Sequence, residues 1–85
     1  MGTKNNPGQF DCYANAEPDE PMFVLLARDP LAPLLVELWA NLRAEASQED
    51  DSAMVEESQD CADAMRAWRE QHRPGKRLEI LEAQR

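Results

Sequence analysis

The run from Asp29 to Arg43, DPLAPLLVELWANLR, constrains this chain more than any other stretch. Leu31, Leu34, Leu35, Leu38, Trp39 and Leu42 recur at steps of three and four, which puts them on one broad stripe of an α-helix. Proline is tolerated at a helix start, where its missing N–H has no partner to lose. Either Pro30 or Pro33 therefore opens this helix, with Asp29 as the cap in the first case. A second stripe, Met54, Cys61, Met65 and Trp68, follows an acidic break and is the natural partner for the first. The expected fold is all-α, a small hairpin of two main helices at about 30–46 and 52–73 with their stripes facing each other. A proline-rich N-terminal segment wraps over one end.

Residues 1–9 are polar, contain Pro7 and Gly8, and are expected to be a disordered arm ahead of a single helical domain at 10–85. A short helix over about Asp11 to Glu17 would turn Phe10, Tyr13 and Ala14 inward, with the Asp11 carboxylate at its start. Pro18 and Pro21 stiffen the following link. MFVLLA, residues 22–27, suits a helical or irregular segment better than a strand, because RLEIL near the C-terminus is its only candidate partner. Asp51 or Ser52 caps the second long helix, and His72-Arg73-Pro74-Gly75 stops it. The tail after Gly75 either docks Leu78, Ile80 and Leu81 on the hairpin or frays.

Eighty-five residues allow one small core, so pairing two copies into a homodimer would be a direct way to bury more surface. The charge of −8 disfavours direct binding to nucleic acid or an anionic membrane and favours a basic protein partner. No apolar run approaches the roughly 20 residues of a membrane helix, and the start MGTKNNPGQ has no apolar signal core. A cytoplasmic protein is expected. Cys12 and Cys61 are then reduced thiols, Cys61 as a small core residue. His72 is the only histidine, so neither a metal-ligand cluster nor a Cys/His nucleophile is suggested. The acidic turn at 49–51 lacks the glycine and alternation of a calcium loop. No cofactor and no catalytic residue are expected, and the two tryptophans read as packing anchors.

Charge is unevenly distributed. Residues 1–65 carry −11 and the remainder +3. At about 100° per residue, Glu49, Glu56, Asp60 and Asp63 fall on the side of the second helix opposite its apolar stripe, flanked by Asp50 and Glu57. Successive carboxylates then lie roughly 5–6 Å apart along the axis, near the spacing of phosphates on a polynucleotide strand. A charged run on an outer helix face is ordinarily just solvated surface. Against that, Glu56 and Asp60 repel at i,i+4 with no interleaved base, a cost that a functional row would explain.

The run PDEPMFVLLARDPLAP, Pro18 to Pro33, preceded by FDCYANA and followed by LLVELWANLR, resembles a group of small proteins encoded by bacteriophages and prophages. The resemblance covers roughly residues 10–43 and implies a phage setting more than a mechanism. Short acidic phage proteins include anti-CRISPR proteins, several of which mimic the charge layout of DNA. The function expected first is therefore an anti-CRISPR inhibitor. It would bind a basic, nucleic-acid-facing surface of a type I CRISPR effector complex in the host cytoplasm through Glu49, Asp50, Glu56, Glu57, Asp60 and Asp63. The alternative is a non-enzymatic phage structural or assembly accessory acting through oligomerisation on exposed Leu and Trp surface.

Overall fold

The computed structural model describes residues 1–46 and 51–73. It is helical, as expected, with two main helices and a short leading one: α1 Cys12–Asn15, α2 Ala32–Glu45 and α3 Ser52–His72. No strand occurs among the described residues, and 22–26 are irregular. Asp11 caps α1, its carboxylate accepting from the Tyr13 N–H at 3.1 Å. Pro33 lies in the first turn of α2. Just ahead, the Asp29 carboxylate accepts from the Leu31 N–H at 2.9 Å, which fixes the entry turn. Asp51 stands at the N-cap position of α3 but makes no cap bond there. Its carboxylate takes the Arg43 Nε instead, at 2.9 Å, and ties the two helices together at the turn end. The tail after Gly75, expected either to dock on the hairpin or to fray, lies outside the described residues.

The seam between α2 and α3 is not the one that the apolar stripes suggest. On α3 it consists of Val55, Ser58, Ala62, Met65 and Arg69, alternating steps of three and four. On α2 it consists of Ala32, Pro33 and Ala40, with half-buried Val36 between them. Ala32, Ala40 and Ser58 are completely buried and Ala62 nearly so. Small side chains let two helix backbones approach closely, and the Ser58 hydroxyl is satisfied locally by donating to the Val55 carbonyl at 2.7 Å. The expected α2 stripe sits well over 90° further round the helix. Leu31, Leu34, Leu35, Leu38, Trp39 and Leu42 are all 37–57% exposed. The facing-stripe packing is therefore corrected: a leucine cannot enter a seam of alanines without forcing the helices apart.

The second stripe is also turned off the seam. Of its four members only Met65 is buried; Met54, Cys61 and Trp68 are half-buried. Cys61, Ala64, Met65 and Trp68 line a shallow apolar cavity of about 300 Å³ with Gly2 to Lys4 and Leu25 to Arg28. The N-terminal chain, not α2, thus covers this face. Arg69 secures that cover. It is only 8% exposed, and its Nη1 donates to the carbonyls of Ala27 at 3.2 Å and Arg28 at 2.8 Å. Trp68 stacks on His72 with ring centroids 4.2 Å apart, and Arg73 lies over the same indole at 5.4 Å.

A tight alanine seam makes a specific demand on volume. Ala40→Leu or Ala62→Leu should destabilise the fold by roughly 1–3 kcal/mol through overpacking. By thermal circular dichroism this is a fall in Tm on the order of 5–20 °C.

Candidate functional site

Of the six acidic residues expected to bind a partner, the four described ones do not form one ridge. Glu49 and Asp50 lie outside the described residues. Glu56, Asp60 and Asp63 are exposed on the outer side of α3, where the helical period puts them. Glu56 and Asp60 make no ion pair with another described residue. Asp63 is met by Arg66 Nη1 at 3.4 Å, and the same guanidinium also pairs with Glu37 of α2. Downstream arginine therefore screens one end of the row.

Glu57 has a different task. It lies between the seam and the outer row, with its side chain only 20% exposed, and points at the N-terminal chain. Its carboxylate accepts from the Gln9 N–H at 2.7 Å, the Phe10 N–H at 2.9 Å and the Met1 ammonium at 3.0 Å. The ammonium also donates to the carbonyls of Pro7 and Phe10. Two successive backbone N–H groups and a cation make a concave anion cradle, here filled by the protein's own side chain. Gly8 shapes it with φ +83°; a Cβ there would sit 2.8 Å from both Glu57 Oε1 and the Met1 carbonyl. Residues 1–9, expected to be a disordered arm, are thus folded back onto α3. Partial burial pushes the Glu57 carboxyl up, but bonds from the ammonium, Phe10 and Gln9 outweigh it and hold the group below its ordinary value. Glu57 is better described as a structural clamp than as part of an outward row.

Both cysteines are free, Cys12 exposed and Cys61 half-buried. Burial raises the Cys61 thiol, the nearby N-terminal charge partly offsets this, and Glu57 adds to the rise. Such a thiol is a poor nucleophile. Among the described residues no cluster of three or more His, Cys, Asp or Glu is arranged to hold a metal ion. None of the described helices is long and apolar enough to cross a membrane.

Among the described residues, an apolar surface is left without a neighbour that accounts for it. Leu31, Leu34, Leu35, Leu38, Trp39 and Leu42 run the length of α2, and Met22, Phe23, Val24 and Leu26 are exposed ahead of it. Monomeric soluble proteins rarely expose a contiguous apolar patch beyond a few hundred Å². The α2 residues form the stripe that their spacing predicts, but the seam with α3 is built on a different face. No family model matches the chain, and no curated protein or solved structure does either.

The Glu57 clamp has a pH signature. A lowered folded-state pKa contributes stability that is fully present above the ordinary value of 4.5 and is lost as pH falls through the lower folded value. The amide resonances of Gln9 and Phe10 should therefore titrate together with a midpoint below 4.5. Glu57→Gln should abolish that titration.

Proposed function

We propose that this chain is a non-enzymatic phage structural or assembly accessory protein that acts by association through the apolar face of α2. The exposed leucine face carries the reading. A helix that buries alanine and shows six large apolar residues to water is arranged to meet another surface. The motif across residues 18–33 supports the phage setting, and it leads directly into that helix. Trp39 and the leucines supply the rigid apolar anchors on which interfaces depend. The carboxylates of α3 keep the opposite side soluble.

Sedimentation tests this. The wild-type protein should oligomerise at micromolar concentration and remain associated at high salt, since apolar contacts are not screened. Leu35→Glu combined with Leu38→Glu should sediment as a monomer with its helicity retained. A wild type that stays monomeric across the range would reject the proposal.

A second reading is inhibition of a type I CRISPR effector complex by imitation of DNA. Its support is the exposed trio Glu56, Asp60 and Asp63 on a chain of net charge −8. It takes second place because Glu57 is committed to the N-terminus and Asp63 is met by Arg66. Changing Glu56, Asp60 and Asp63 together to Lys should abolish inhibition in a DNA-binding assay of the complex while leaving the circular dichroism spectrum intact. Full inhibition by that variant would eliminate this mechanism.

A further inference from the structure

We infer that the occupant of the α2 face is a second copy of this chain, with the two α2 helices antiparallel about a two-fold axis near Val36 and Glu37. This rests on that face being the working surface, and it specifies what covers it and in which direction.

The spacing comes first. Leu31, Leu35, Leu38 and Leu42 alternate steps of four, three and four, the repeat of an apolar seam between two helices. A two-fold interface is isologous, so residue i of one copy meets j of the other and j meets i. Centring an antiparallel pair between residues 36 and 37 sets Leu31 against Leu42, Leu35 against Leu38 and Leu34 against Trp39. All six exposed side chains then find an apolar partner. Sliding the pair by one turn either way leaves Leu31 or Leu42 without one.

Charge selects the direction. Arg28 precedes α2 and Glu45 is its last residue. Both are exposed, and neither makes an ion pair with another described residue. The antiparallel arrangement brings Arg28 of each copy toward the other's Glu45, whereas a parallel one sets like charges together at both ends. Helix dipoles favour the same choice. The charged residues on the other sides of α2 are already engaged, Glu37 with Arg66 and Arg43 with Asp51. The six residues expose on the order of 500 Å² per copy, so pairing through them buries at most about 1,000 Å² in total, near the lower bound for a specific interface. The flanking Met22 to Leu26 segment can add to it.

The test uses the full chain with Cys12→Ser and Cys61→Ala, its helicity confirmed. Copies carrying Leu31→Cys are mixed with copies carrying Leu42→Cys and treated with a short thiol cross-linker. The expected product is the mixed 31–42 dimer, with little 31–31 or 42–42 product from either variant alone. Dominant like-with-like products would overturn the antiparallel register while the association itself stands. Absence of any cross-link in a sample that still sediments as an oligomer would overturn it too, placing the contact elsewhere. A wild type that is monomeric by sedimentation would instead reject the underlying reading. Independently, Arg28→Glu or Glu45→Arg alone should weaken the dimer by about 2- to 30-fold, and the two together should restore it. Failure of the double variant to recover would count against the register.

Discussion

The seam between α2 and α3, in which Ala32 and Ala40 on one helix and Ser58 and Ala62 on the other are fully or almost fully buried, is the constraint on which the rest of the fold depends. Side chains of this size let helices approach closely but remove little apolar area from water, so the seam contributes modestly by itself. The other restraints make sense in that light. Arg43 and Asp51 close the turn end, Arg66 bridges to Glu37, and Arg69 fixes the carbonyls that lead into α2. Each is a polar device added to a core that apolar burial alone would leave weak.

Glu57 and the N-terminal chain form the second level of this organisation. The half-buried stripe of α3, Cys61 and Trp68 in particular, shares one apolar cavity with Gly2 to Lys4 and with Leu25 to Arg28. A carboxylate held by two N–H groups and an ammonium is a multiply bonded, directional contact, stronger than an isolated exposed ion pair. It converts a polar, glycine-containing segment with little apolar content into a lid over the stripe. The charge that first suggested an outward surface is here used inward.

The sequence made the helices legible because three-and-four spacing, Pro33 and the stop at His72 to Gly75 are local signals. It also made the leucine stripe legible as a stripe. It could not say which neighbour the stripe meets, since amphipathicity records a face and not its partner. The alanines at 32 and 40 gave a weak signal because alanine suits a helix anywhere, though their four-residue steps around Val36 mark a close-packing face in retrospect. On α3 the predicted face lay on one flank of the true seam, so Met65 was shared while Val55, Ser58 and Ala62 were missed. The role of Glu57 was invisible for another reason. Its donors sit 47 to 56 residues away in sequence, and nothing in the local composition distinguishes it from Glu56.

These placements separate two surfaces that the sequence alone runs together. The leucines of α2 and the exposed acids of α3 lie on different helices, and the alanine seam keeps the leucines from turning inward to satisfy themselves. If α2 buried its leucines, the chain would be a better monomer with one charged surface to offer. By burying alanine instead, it gives up apolar stabilisation within the copy, and the proposed pairing would recover that area between copies. A fold of this size gains most from such an exchange, because its own core is too small to carry stability alone. Association through α2 would leave Glu56 and Asp60 on the outer faces of the assembly, where their mutual repulsion is relieved by water and salt. The acidic row is accounted for as solvated helix surface, whereas the leucine face is the area that the proposed association would cover.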